Sequence, residues 1–431
     1  MSSASLTTSS IDLSKRDLTL DIARVFCVLL VVIIHLLMVG VGFAADGQLT
    51  VSRPLEQQWW FAPVTWEGQI MPLFFVVGGF ASITAWRSSV RRGGTPADFV
   101  RTRVLRLAQP ALPLFVFYVA VIGGARLIGI DPTLLDTVVV GAGSPLWFLA
   151  AYGLCQALVP AMARWHARAP RLTLVVLLAG AVVVDALRYS SGIDAVGLLN
   201  LFFVWLLVQQ LGFWYADGWF DRRAWWQLVL VAAAAYATLF PLTGLGPYSD
   251  DMLTNLNPPT LPLVALALGQ ACILRLLRPA LAALMNTHAA RAFVFVVGSR
   301  LMTIYLWHLP VIIILSGIAL LIPGASPAPA GPAWWWSRPV FFVIVMAALF
   351  GLSFLVGRFE KPREVGPTPP GPIVALAAVL TFVPAFCVME FFLDLPFAVL
   401  GAVFYAIAVL LLGRWPGASV DRRQRDDARV G

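Results

Sequence analysis

Ionisable side chains are costly in hydrocarbon and mark candidate functional positions by default. The apolar run DIARVFCVLLVVIIHLLMVG contains three of them, Asp21, Arg24 and His35. Eleven residues separate Arg24 from His35, which on a helix returns to within about 20° of the same face and climbs roughly 16 Å. Asp21 lies one turn below Arg24 and within about 60° of it. The helix would carry a charged pair at one boundary and an imidazole near the bilayer middle, along one stripe. A neutral imidazole with an ordinary pKa of about 6.5 is suited to take a proton from a hydroxyl. An Asp–Arg pair joining two helices, with His35 as an interhelical hydrogen bonder, is the plainer alternative.

Other segments carry comparable chemistry. FVRTRVLRLAQPALP sets Arg101, Arg103 and Arg106 at the start of an apolar span; Arg103 and Arg106, three apart, share a face and suit phosphate groups. SRLMTIYLWHLPVIIIL places Tyr305, Trp307 and a second intramembrane imidazole, His308, ahead of Pro310. In IMPLFFVVGGFASITAW the pair Gly78 and Gly79 permits close approach of a backbone or a ligand. SPLWFLAAY offers Trp147 at a helix mouth, and GRFEKPRE closes a span with Glu360 between basic residues. His166 and His288 fall in basic loops and are given no role. No Walker loop, HExxH or CxxC pair occurs, and four scattered histidines make a metal site an unlooked-for feature.

The elements that must hold these groups follow from composition. Of 431 residues, 60% are hydrophobic and 12% charged, against roughly 25% charged in an average soluble domain. Apolar runs of spanning length recur along the chain. They predict helices near 18–43, 68–86, 104–123, 145–163, 172–187, 196–216, 225–242, 259–277, 299–321, 338–357, 372–392 and 395–413. The expected fold is therefore all-α, a polytopic bundle of about twelve transmembrane helices. The first run is too long, and too rich in charge, for a signal peptide.

With a cytosolic N-terminus, every Lys and Arg except Arg53, Arg126, Arg188 and Arg338 falls on the inner side, while the acids divide evenly. Orientation thus accounts for the net charge of +8, both termini are expected in the cytosol, and no nucleic-acid partner is required. Trp59–Trp60, Trp225–Trp226 and Trp334–Trp336 sit at predicted helix ends as interfacial belts. Cys27, Cys155, Cys272 and Cys387 lie in apolar runs and read as buried thiols.

Taken in order, Arg24-x10-His35, FFVVGGF, Arg103-x-x-Arg106, PLWFL, YLWHLP and FEKP resemble the acyltransferase-3 family of integral membrane acyltransferases. The second motif departs from that pattern in reading GGF where many relatives have a serine before the glycine. The resemblance implies transfer of an acyl group, commonly acetyl, from cytosolic acyl-CoA to a hydroxyl of a sugar, glycan, lipid or secondary metabolite, by a multi-pass protein of a bacterial plasma membrane. It implies that Arg24 and His35, with Asp21, form the catalytic set. Arg103 and Arg106, with Arg101 beside them, would hold the donor phosphates. Trp147, Tyr305, Trp307, His308, Gly78 and Gly79 would line the substrate path. The implied organisation is a polar tail over 1–16, an acyltransferase-like membrane domain over 17–364, an extra hairpin over 365–413 and a basic tail over 414–431. A secondary transporter or lipid flippase shares the span count and stands as the alternative; it would be expected to show paired broken helices in two halves, and no internal repeat is visible. A silent acyl-CoA-binding or lipid-binding scaffold is a third reading.

Overall fold

A lipid-spanning segment must satisfy its backbone internally, which makes the helix its default. The computed structural model describes residues 17–43, 49–360 and 366–413 and is an all-α bundle with one small hairpin; both tails, and Lys361 of the FEKP segment, lie outside the described residues. The elements are α1 (Leu18–Met38), β1 (Gly40–Phe43), β2 (Leu49–Ser52), α2 (Phe61–Gly68), α3 (Met71–Arg91), α4 (Pro96–Leu127), α5 (Pro132–Gly143) and α6 (Trp147–Arg168). They continue with α7 (Pro170–Ser191), α8 (Asn200–Ala216), α9 (Trp225–Gly244), α10 (Pro262–Met285), α11 (His288–Gly298), α12 (Leu301–Leu321), α13 (Pro332–Val356), α14 (Gly371–Phe391) and α15 (Leu395–Gly413). Among the described residues, twelve helical segments are long and apolar enough to cross a membrane.

Helix starts follow local capping chemistry. The Asp17 carboxylate accepts the Thr19 N–H at 3.0 Å and opens α1, and Thr95 with Asp98 forms a reciprocal capping box that opens α4. Helix α1 stops at Met38, five residues short of the predicted end, because Gly40–Phe43 pairs antiparallel with Leu49–Ser52. Gly40 and Gly42 favour that change: both are poor helix formers, and a Cβ on either would stand 2.7 Å from Pro329. Helix α11 is too short to register as a span and was not predicted.

Helix α1 is central, touching α3, α10, α11, α12 and α13. Helices α3 and α8 cross closely, and α14 with α15 packs on α4 and α6. Trp59, Trp225, Trp226 and Trp336 are exposed at helix ends, whereas Trp334 is buried under the Arg338 guanidinium, 4.5 Å from its ring centroid.

Arg101 turns out to belong to this packing. It is buried, its Nε and Nη2 donate to the Leu412 carbonyl at 2.8 and 2.6 Å, and its Nη1 donates to the Gly366 carbonyl at 2.6 Å. Here the Arg101 guanidinium is spent on the end of α15 and the approach to α14, a packing role that the sequence did not suggest. Charged hydrogen bonds of this kind contribute about 1.5–3 kcal/mol each. Arg101→Ala should therefore lower the thermal midpoint of the detergent-solubilised protein and expose α15 to hydrogen exchange, while Arg106→Ala should do neither; differential scanning fluorimetry with exchange mass spectrometry measures both.

Candidate active site

The two intramembrane histidines meet. His35 lies in the last turn of α1, about 25 Å along the helix from Leu18. His308 is the eighth residue of α12, about 10 Å from its start. For the rings to share a level, α12 must begin deeper in the bundle than α1. The short α11 provides that offset, and its last residue lies against α1: a Cβ on Gly298 would stand 3.8 Å from Val25 Cγ2. The start of α12 is held by Glu360, whose carboxylate accepts the Thr303 N–H and hydroxyl, so the FEKP glutamate anchors the end of α13 to α12.

The ring centroids of His35 and His308 are 4.9 Å apart with a 62° interplanar angle. His35 Nδ1 is 2.9 Å from the Val31 carbonyl, and His308 Nδ1 is 2.6 Å from the Tyr305 carbonyl. A carbonyl only accepts, so in the neutral form each Nδ1 carries the proton and each Nε2 carries the lone pair. His308 is fully buried and its Nε2 has no hydrogen-bond partner. Tyr305 donates its hydroxyl to the Pro145 carbonyl and packs on Phe148, with centroids 4.7 Å apart. Trp307 is also buried and packs on Phe117 at 5.1 Å.

At the opposite end of the α1 stripe, Asp21 and Arg24 line a cavity of about 450 Å³ closed by α11 and the end of α10. Arg103 is half-buried, its guanidinium sits 4.9 Å from the Phe99 ring centroid, and it lies within electrostatic reach of Tyr152, Arg106 and Arg24. Arg24, Arg103 and Arg106 form no ion pair among the described residues. Guanidiniums that form no ion pair are chemically suited to bind an anion. Between Arg24 and His35 the stripe is packed, since Val28 and Val31 are buried, and His35 does not line the Arg24 cavity.

Gly78 and Gly79 divide in role. A Cβ on Gly79 would stand 2.3 Å from the Gln209 carbonyl oxygen of α8, so this glycine serves the α3–α8 crossing. A Cβ on Gly78 would meet the Tyr152 ring at 3.0 Å; Gly78 makes room for Tyr152, which stacks on Phe148 at 5.0 Å. Trp147 is half-buried and stacks on Trp205. Sequence reading missed Tyr152, although WFLAAY places it one turn from Phe148 on the same face of α6. It also misplaced two histidines. His166 is buried in the last turn of α6, between Gln210 at 2.8 Å and Asp217 at 2.9 Å, and Asp217 also pairs with Arg87 at 2.7 Å. Burial opposes ionisation of Asp217, but His166 and Arg87 outweigh it and hold the carboxyl below its usual range. His288 opens α11 and lines the cavity with Arg24.

Comparison with known proteins gives one result for the whole site. A family model described as an acyltransferase domain, of the acyltransferase-3 type, matches residues 17–358, from the cap of α1 to the residue before Phe359 and Glu360. No curated protein and no solved structure matches significantly.

The two glycines predict different phenotypes. Gly79→Ala overpacks the α3–α8 contact at about 1–3 kcal/mol and should lower thermal stability, whereas Gly78→Ala should displace Tyr152 and reduce transfer more than stability. Melting curves and turnover on the same preparations separate the two, and identical losses in both assays for both variants would refute the division.

Proposed function

The chain belongs to the acyltransferase-3 family and is a membrane acyltransferase, not an aminoacyl transferase, and on that premise we propose the division of labour among its residues. The donor is an acyl-CoA, with acetyl as the expected group, and the acceptor is a hydroxyl of a sugar, glycan, lipid or metabolite. The observation that carries this reading is the 2.9 Å approach of His35 Nδ1 to the Val31 carbonyl, which in the neutral ring leaves Nε2 with a lone pair beside His308.

In the proposed reaction the acceptor hydroxyl gives its proton to His35 Nε2 as its oxygen attacks the thioester carbonyl. The carbon–sulfur bond breaks, and the departing thiolate takes the proton from His35, giving an ester and a free thiol. A positioned imidazole contributes about 10²–10⁴-fold to such a step. The unpartnered Nε2 of His308 accepts a hydrogen bond from a second donor group of the acceptor molecule and so orients it. Tyr305, Trp307 and Trp147 supply aromatic walls. Arg24, Arg103 and Arg106 hold donor phosphates on the cytosolic side, and Asp21 fixes the Arg24 end. The thioester then climbs the α1 stripe roughly 16 Å, displacing Val28 and Val31 as it passes.

His35→Gln should abolish transfer of labelled acetyl from acetyl-CoA while the protein stays inserted and melts like the parent. Arg103→Gln should raise KM for the donor about tenfold, as expected for one lost charge-assisted contact, with kcat little changed. Turnover retained by His35→Gln would remove the ring from the mechanism.

A further inference from the structure

The cavity beside Arg24 has a wall that the family motifs do not account for. Its floor comes from Asp21 and Arg24 on α1, and its far side comes from α11, which contributes His288, Arg291 and Phe295. Helix α11 has 11 residues and lies between two spans without being one itself. Arg291 is fixed in place: its Nε donates to the Met285 carbonyl at 2.6 Å and its Nη2 to the Asn286 carbonyl at 3.4 Å. These are the last carbonyls of α10, which a helix leaves without internal partners. The guanidinium therefore satisfies the helix end with one edge, while Nη1 makes no hydrogen bond among the described residues. A cation pinned in this way spends little entropy when it meets an anion.

We propose that this α11-walled cavity seats the phosphate-bearing nucleotide end of the donor, with Arg291 and His288 as binding residues and Arg24 as their shared floor. The proposal rests on the reading of the chain as acyl-CoA dependent. Arg291 and Arg24 share the cavity, and Arg103 lies within electrostatic reach of both Arg24 and Arg106; several guanidiniums match a donor that carries several phosphates better than a lipid headgroup that carries one. Phe295 and the apolar side chains near it give the nucleobase a surface to lie on. Arg24 also stands at the foot of the His35 stripe, so a donor anchored there has its acyl end directed along α1.

The test is calorimetric binding of CoA to the full chain in phosphatidylcholine nanodiscs. His288→Gln disturbs no side-chain hydrogen bond among the described residues, and Ala292→Glu adds a carboxylate to the cavity, so both spare the packing that Arg291→Gln would loosen. Both variants should weaken CoA about tenfold or more, the scale of one charge-assisted contact, and dephospho-CoA should bind the parent more weakly than CoA. If the variants bind CoA like the parent while Arg103→Gln loses it, the cavity is not the nucleotide site and the acyl-CoA reading stands. A parent that does not bind CoA overturns both. Variants that keep CoA but lose retention of phosphatidylglycerol in native mass spectrometry identify a lipid site instead and overturn the proposal.

Discussion

A neutral imidazole in hydrocarbon has one N–H to place and one lone pair to leave, and at His35 the Val31 carbonyl one turn below settles which nitrogen does which. The remaining architecture follows from using that arrangement. A lone pair directed at lipid would do no chemistry, so a second helix must bring a partner to the same level, and α12 does so with His308. That second ring is oriented in the same way, by a carbonyl of its own helix. The interior thus holds two imidazoles whose backbone bonds fix their tautomers, with aromatic rings packed around them.

The same constraint shapes the less reactive parts of the bundle. Polar groups away from water need partners, and here they find them across helices: Gln156 donates to Ser82 at 2.9 Å, Gln209 donates to the Cys155 carbonyl at 3.1 Å, and Glu360 takes the first turn of α12. Arg101 belongs with these, joining α4 to α15. Against that background the groups left over stand out. Among the described residues Arg24, Arg103 and Arg106 form no ion pair, although Asp21 lines the Arg24 cavity, and His308 Nε2 is buried without a bond. In the proposed reading, these cations at one end and the His308 base at the other are where the protein meets its substrates.

Much of this was legible in the sequence because membrane helices write their length directly into composition. All twelve spans were foreseen, most within a few residues of their ends, and the periodicity of α1 put Arg24 and His35 on one face. What escaped depended on contacts between helices. Arg101 and Arg103 are two residues apart and chemically identical, yet one bonds to the end of α15 and the other lies over the Phe99 ring, and only the packing around them decides which. Gly78 and Gly79 are likewise alike until Tyr152 and Gln209 are placed against them. The end of α1 was placed too late because the helix gives way early to a glycine hairpin, and α11 was passed over because 11 residues cannot span a bilayer.

The claim on which the account depends is that one molecule reaches from the guanidiniums at the start of α1 to the lone pair at its end. A cryo-electron microscopy structure in nanodiscs with bound CoA measures this directly. The account predicts phosphates at Arg24 and Arg103 and the thiol sulfur within contact of the His35 and His308 rings. A thiol that ends elsewhere, with both rings still enclosed by protein and no route from Arg24 to them, would contradict it.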